Sequence, residues 1–279
     1  MATVTPRSVG PVRLEVLEAG VGGRPLLLSH GFTGAKEDFG DWMDAFADEG
    51  WWVVAPDLRG HGNSEQPVDE GLYSLVTFAA DLLALADDLG WDRFSMVGHS
   101  MGGMVAQEMA LQAPERIERL VLMDTHHGPV EGLDPDTVAI AVDVLRTQGL
   151  PALLALIAEL PAAEKAPSEL RVHAERPGYA EFGESKVNRA SAAMYAAMGV
   201  ELTSRADRLA DLAGLSMPVR VVVGAEDAGF LGASRRMAET IPTADLVVIP
   251  DAAHSPQFEN PQAWWDAVAP FLADRQLAG

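Results

Sequence analysis

Six short apolar runs, each closed by Gly, Pro, Asp or His, set the order of this sequence: Pro25–His30, Trp51–Asp57, Phe94–Gly98, Leu120–Asp124, Val219–Gly224 and Leu246–Pro250. Continuous runs of this kind suit strands buried on both faces, the condition of a parallel sheet. Val12–Glu18 alternates apolar and polar residues instead, as a half-buried strand does. Between the runs lie helical patterns. Phe78, Leu82, Leu85 and Leu89 share one face that Gly90 closes, and Met104, Glu108 and Leu111 continue a helix that stops near Pro114. Alternation of strand and helix at this spacing predicts a doubly wound α/β fold, a mostly parallel central sheet flanked by helices.

The alternation breaks between His127 and Arg205, where no strand-like run occurs. Asp134-Pro135 offers a cap and a first-turn proline, followed by Val138, Val142 and Leu145 at helical spacing. Leu150, Leu153, Leu154, Ile157 and Leu160 form a second apolar stripe, and Met194, Tyr195 and Met198 mark a third. The expectation is an all-helical insertion, residues 127–205, in a core domain made of residues 1–126 and 206–279. The last helix starts at the cap Asn260 and Pro261, turns Trp264, Trp265, Val268 and Phe271 inward, and should kink at Pro270.

Composition narrows the chemistry. The chain of 279 residues carries no Cys, which excludes disulfide scaffolds, thiolate metal sites and a thiol nucleophile. Its formal net charge is −21. A surface that negative repels nucleic acid and anionic lipid but leaves room for a small anionic ligand in a local pocket. No apolar run approaches 18 residues, and Met1–Gly10 lacks the apolar core of a signal peptide. The expectation is a soluble, cytoplasmic protein with a small-molecule substrate and neither nucleic-acid nor membrane partners. Its oligomeric state is not fixed by sequence.

Gly98-His99-Ser100-Met101-Gly102 follows one apolar run and opens a helical pattern. Ser100 would then sit on the tip of a strained strand-to-helix turn with its hydroxyl clear of the sheet. With 26 Gly and 13 Ser in the chain, G-x-S-x-G should arise about 0.1 times by chance. It occurs once, in the right context. A serine hydroxyl needs a base. Of the seven His, His254 lies in a loop four residues past a strand-like run and before the last helix, where it can face Ser100. His99 adjoins the serine but should diverge from it; His30 and His61 lie beside Gly in loops and should shape the backbone. His173 lies in the insertion and should face solvent. His126 and His127 are adjacent, with no third ligand at a sensible spacing, so no metal is expected.

The base needs a carboxylate to fix its tautomer. Asp227 and Asp124 both follow strand-like runs, and either gives the order Ser, Asp, His. Asp227 is favoured because its loop neighbours that of His254; Glu226 beside it should point to solvent. Two donors for a developing oxyanion are expected from the N–H of Met101, at the positive end of a helix, and the N–H of Phe32, which Gly31 lets approach closely.

His30-Gly31-Phe32, Asp57-Leu-Arg-Gly-His-Gly-Asn-Ser64, Gly98-His-Ser-Met-Gly-Gly103, Gly224-Ala-Glu-Asp227 and Ala253-His254 occur in this order across most of the chain. Together they resemble the α/β-hydrolase superfamily in its serine-nucleophile branch, and Gly98–Asp124 is particularly similar to bacterial esterases and enol-lactone hydrolases. The resemblance implies Ser100 as nucleophile, His254 as base, Asp227 as its orienting acid, Phe32 and Met101 as oxyanion donors, and the insertion as a helical cap over the site. Ser at position 100 argues against the haloalkane dehalogenase and epoxide hydrolase branches. The implied activity is hydrolysis of a carboxylic ester or lactone of a small to medium, largely apolar substrate, without cofactor. The same scaffold also supports carbon–carbon bond hydrolysis, thioester cleavage, perhydrolysis and non-catalytic ligand binding. Candidate pocket residues are His30, His99, His126, Leu154, Met194 and Met198.

Overall fold

The computed structural model of the protein describes residues 1–132, 134–160 and 164–274. Eight strands form one sheet: β1 (Thr3–Val9), β2 (Val12–Ala19), β3 (Arg24–Ser29), β4 (Trp51–Pro56), β5 (Phe94–His99), β6 (Ile117–Met123), β7 (Val219–Gly224) and β8 (Ala244–Ile249). Their order across the sheet is β1-β2-β4-β3-β5-β6-β7-β8. From β4 to β8 all pairings are parallel, whereas β1–β2 and β2–β4 are antiparallel. Each apolar run has become a strand of that parallel part. β1 was not legible as a strand: its residues are largely exposed, and it enters the sheet only as the antiparallel edge partner of β2.

The helices follow in chain order as α1 (Met43–Asp48), α2 (Leu75–Asp88), α3 (Met101–Gln112), α4 (Pro135–Gln148), α5 (Leu150–Glu159), α6 (Pro167–Glu175), α7 (Tyr179–Asn188), α8 (Ala192–Ser204), α9 (Leu209–Leu212), α10 (Ala228–Thr240), α11 (Pro256–Glu259) and α12 (Pro261–Ala273). Their starts are set by capping side chains. Ser74 accepts from the Thr77 amide, Asp134 from that of Thr137, and Asn260 from that of Ala263, satisfying first-turn donors that have no intrahelical acceptor. α2 and α3 cover one face of the sheet through Phe78, Leu82, Met104 and Met109; α1 and α12 cover the other through Phe46, Trp264 and Phe271. α4 to α8 all fall between β6 and β7. α4 packs along α8, burying Val142, Leu145, Met194 and Met198. No described helix is long and apolar enough to cross a membrane.

Because β3 to β8 run in one direction, their carboxyl ends and the loops beyond them share one edge of the sheet, where ligands of open α/β sheets bind. A buried ion pair fixes that edge on the β4 side. Lys36 Nζ lies 2.8 Å from Asp57 Oδ2, 2.9 Å from Glu15 and 3.0 Å from Glu37. Asp57 is 0% exposed, and it also accepts from the amides of Lys36 (2.8 Å) and Asn63 (3.0 Å). Truncating the cation strands a buried carboxylate. Lys36→Met is therefore expected to lower the free energy of unfolding by about 3–5 kcal/mol, read as a fall in the urea midpoint; a loss below 1 kcal/mol would mean the pair is dispensable.

Candidate active site

Ser100 follows β5 directly and opens α3, with φ 54° and ψ −120°, a strained left-handed backbone for a residue with a side chain. The turn closes because Gly98 and Gly102 lack side chains. A Cβ on Gly98 would lie 2.5 Å from the Gly102 carbonyl oxygen, and one on Gly102 would lie 2.4 Å from that of Ser29. The Ser100 amide donates to Met123 O at 2.9 Å, and the Thr125 hydroxyl donates to Ser100 O at 2.6 Å. β6 and its following loop thus hold the tip from the far side.

The structure brings Ser100, His254 and Asp227 together. Ser100 Oγ lies 3.0 Å from His254 Nε2, and His254 Nδ1 lies 2.8 Å from Asp227 Oδ2. His254 stands in the loop after β8, and Asp227 stands at the N-terminus of α10 after β7. The Phe230 ring, one turn along α10, lies 4.6 Å from the His254 ring. This relay can move a proton from the serine hydroxyl to the imidazole while the carboxylate holds the ring and offsets its positive charge.

Asp124, the other acid that sequence offers, is not in direct contact with His254 Nδ1, but it is next to the relay. Ligand atoms of Asp124, Asp227 and His254 lie within 4.8 Å of one another. Asp124 is 0% exposed, with φ 44°. Its Oδ1 accepts from the Gly224 amide at 2.8 Å, and its Oδ2 meets no hydrogen-bond partner. Burial pushes the Asp124 carboxyl well above the usual carboxylate range, and the negative Asp227 beside it pushes the same way. Both causes favour the neutral form of Asp124. The same three residues are the described group with metal-ligand spacing, but His254 Nδ1 and Asp227 are already engaged with each other.

The amide of Met101 is the first of α3 and has no intrahelical acceptor. Phe32 sits in a loop beside it: a Cβ on Gly31 would come within 3.1 Å of Ser100 Cβ. Two buried imidazoles pin this loop. His30 accepts from the Leu58 amide at Nε2 (3.1 Å) and donates from Nδ1 to Gly31 O (2.8 Å). His61 Nε2 reaches Phe32 O at 2.9 Å. Burial holds both neutral, lowering His30 to about 4 and His61 to about 3.

Ser100 and His254 line a cavity of about 310 Å³ together with Phe32, His99, Lys186 and Gln257, among others. A second cavity of about 460 Å³ shares Phe32, Thr33 and Leu202 with it and is walled by Val138, Leu145, Leu154 and neighbouring apolar side chains of the inserted helices. Of the candidate pocket residues, His99 lines the first cavity and Leu154 the second. The others are placed elsewhere. His30 is wholly buried by its loop contacts, and His126 accepts from Gly128 N behind Phe230. Met194 and Met198 are consumed by the core, Met194 against Gly60. Glu226 also differs from expectation, because its carboxylate accepts from the Ser168 amide of α6 at 2.9 Å. Lys186, Asp38, Gln257 and Phe230 gave no signal in sequence, since each touches the pocket through an element whose position the local pattern does not reveal.

Comparison with known proteins agrees with this geometry. The family model described as the alpha/beta hydrolase fold matches residues 24–261. The chain is 32% identical to a 2-hydroxymuconate semialdehyde hydrolase of Pseudomonas putida, over 90% of this chain and 88% of that one. It is similar to the crystal structure of the enol-lactonase from Burkholderia xenovorans LB400, with TM-score 0.81 and 25% identity over 97% of this chain and 100% of that one. It is also similar to a thermophilic esterase from Thermogutta terrifontis, with TM-score 0.76 and 27% identity over all of both chains.

Asp227→Asn is expected to slow the reaction of Ser100 with a fluorophosphonate by roughly four orders of magnitude. Asp124→Asn, which leaves the Asp227–His254 hydrogen bond in place, should slow it by less than about tenfold. The reverse ranking would make Asp124 the orienting acid. The two loop imidazoles generate a pH dependence. Their folded-state values lie below the unfolded value of about 6.5, so the unfolded chain binds more protons and stability is lost as pH falls from about 6.5 toward 4. Each contributes a slope of up to about 1.4 kcal/mol per pH unit, and His61→Gln should flatten the wild-type slope by about that amount in urea titrations at stepped pH.

Proposed function

We propose that this chain, which belongs to the alpha/beta hydrolase fold family, is a serine hydrolase that cleaves a carboxylic ester or lactone of a small to medium, largely apolar acid. The observation that carries the reading is the unbroken relay from Ser100 Oγ through His254 to Asp227, at 3.0 and 2.8 Å, opening onto a cavity. The similarities to an esterase and an enol-lactonase structure favour esters and lactones among the substrates such a relay can attack.

In this reading Ser100 Oγ attacks the carbonyl carbon as its proton passes to His254 Nε2. The oxygen that becomes negative turns toward the amides of Phe32 and Met101, the latter at the positive end of α3. The elbow strain keeps the hydroxyl presented, so little reorganisation precedes attack. His254 then donates its proton to the leaving alcohol and takes one from the incoming water, which releases the acid and restores Ser100. No step calls on a metal or organic cofactor. Residues 127–205 act as the cap, and the apolar cavity they wall takes the acyl chain. Its volume of about 460 Å³ compares with about 30 Å³ for a water in the liquid, and a methylene is of similar size, so a chain of roughly six to ten carbons fits without filling it.

The test is a panel of p-nitrophenyl esters from acetyl to decanoyl, with lactones, thioesters and β-diketones as rival classes. Ser100→Ala should lose at least roughly three orders of magnitude in kcat/KM, and a fluorophosphonate should label the wild type once, at Ser100. Within the ester series kcat/KM should rise by about fourfold per added methylene until the cavity is full, from about 0.8 kcal/mol per buried CH₂. Leu154→Trp should remove that rise while sparing the acetyl ester. Turnover of β-diketones with none of any ester would sink the ester reading.

A further inference from the structure

The catalytic cavity has polar walls that the proton relay does not use. Lys186, on α7, and Asp38, in the 3-10 segment Lys36–Trp42, both line it together with Gln257 of α11. Lys186 Nζ donates to Asp38 Oδ1 and lies 4.4 Å from the centre of the Phe182 ring. An ammonium group has three protons to give, and the one acceptor found for Lys186 among the described residues is Asp38. Asp38 is fully engaged, because its Oδ2 accepts from the Ala35 amide at 3.2 Å. Gln257 is only 2% exposed, yet its Oε1 meets no hydrogen-bond partner. A buried amide left in that state costs free energy, and Gln257 is one of the side chains that line the cavity. These groups stand apart from the apolar cavity, which shares Phe32, Thr33 and Leu202 with the catalytic one but none of the three polar side chains.

We propose that Lys186 and Gln257 form a recognition site for a neutral hydrogen-bonding head on the substrate, a hydroxyl or amide group carried on the side of the ester or lactone away from the acyl chain. A hydroxyl or amide offers an acceptor to Lys186 Nζ and a donor to Gln257 Oε1 at once, which an alkyl group cannot do. The head is neutral, not anionic, because Asp38 already balances the Lys186 charge within the same wall, and a carboxylate placed on Lys186 would also face Asp38. The preferred substrate is then amphipathic: an apolar acyl chain under α4, α5 and α8, and a polar alcohol or lactone substituent against α7 and α11. This deepens the acyl-transfer reading and rests on it.

The test compares three hexanoate esters that differ in the alcohol alone: propyl, 3-hydroxypropyl and 3-carboxypropyl. The readout is the ratio of kcat/KM for each polar ester to that of the propyl ester, which a general loss of catalytic or folding competence leaves unchanged. In the wild type the hydroxyl ratio should be roughly tenfold or more, in line with sites built to bond a substrate hydroxyl, and the carboxylate ratio should stay below it. Gln257→Leu should bring the hydroxyl ratio to about one. So should the double variant Lys186→Met with Asp38→Asn, which removes the ion pair without stranding a charge. If the double variant does not fold, Gln257→Leu alone decides. A hydroxyl ratio near one in the wild type, a ratio that survives Gln257→Leu, or a preference for the carboxylate ester overturns the proposal while leaving ester hydrolysis standing. Absence of turnover on all three esters, with Ser100 still labelled by a fluorophosphonate, overturns the ester reading and this proposal with it.

Discussion

The ion pair between Lys36 and Asp57 is the contact from which the geometry of the catalytic edge descends. Asp57 directly follows β4 with no exposure to water, and it spends one carboxylate oxygen on the Lys36 amide and the other on Lys36 Nζ and the Asn63 amide. Its main-chain carbonyl takes the Ser64 hydroxyl at 2.6 Å. The loop from Asp57 to Ser64 is thereby folded back on itself, which delivers His61 to Phe32 O and the Leu58 amide to His30. Two neutral imidazoles then hold the loop in which Gly31 approaches Ser100. A charge buried at this depth survives because its partner is buried with it and each remaining lone pair has a donor.

On the other side of Ser100 the same economy of space works through absence of side chains. Gly102 lets α3 come against the end of β3, so the loop after β3 and the elbow after β5 are in contact through backbone alone. That contact places Gly31 beside Ser100. The acids behind His254 are separated by environment in turn. Asp124 is entirely buried, which favours its neutral form, whereas Asp227 is hydrogen-bonded to His254 Nδ1.

How much of this was legible in the chain follows from which forces act locally. The parallel strands were readable because burial on both faces demands unbroken apolar runs, and the serine turn because only Gly fits at two backbone-to-backbone approaches. The caps at Asp134 and Asn260 are local by nature, and that at Ser74 emerged only from the structure. β1 was not readable, since an exposed edge strand has no apolar face to display, and α7 buries none of its residues, so no stripe marks it. The choice between Asp227 and Asp124 was settled only by spatial distance to His254. Met194 and Met198 misled for a related reason: an apolar helical stripe reports burial, and burial against the core is indistinguishable in sequence from burial against a ligand. Lys186, Asp38 and Gln257 are far apart in number and ordinary in type, so nothing short of the fold assembles them.

The polar seam between the inserted helices and the core shows why those residues are where they are. Arg176, Lys186 and Arg189 face Asp41, Asp38 and Glu37 of the one 3-10 segment that begins at Lys36. The outer pairs are exposed and contribute little on their own; at Asp38 the carboxylate is buried and the Lys186 ammonium half-buried, where α7 borders the pocket. α6 is tied by different groups, with Ser168 giving its amide to Glu226 and its hydroxyl to Glu259. Glu226 adjoins Asp227, and Glu259 accepts from the Ala253 amide beside His254. One serine of the insertion therefore touches both loops that carry the acid and the base. The insertion and the segments after β7 and β8 are thereby joined through shared hydrogen bonds on Glu226 and Glu259, the neighbours of Asp227 and of the His254 loop.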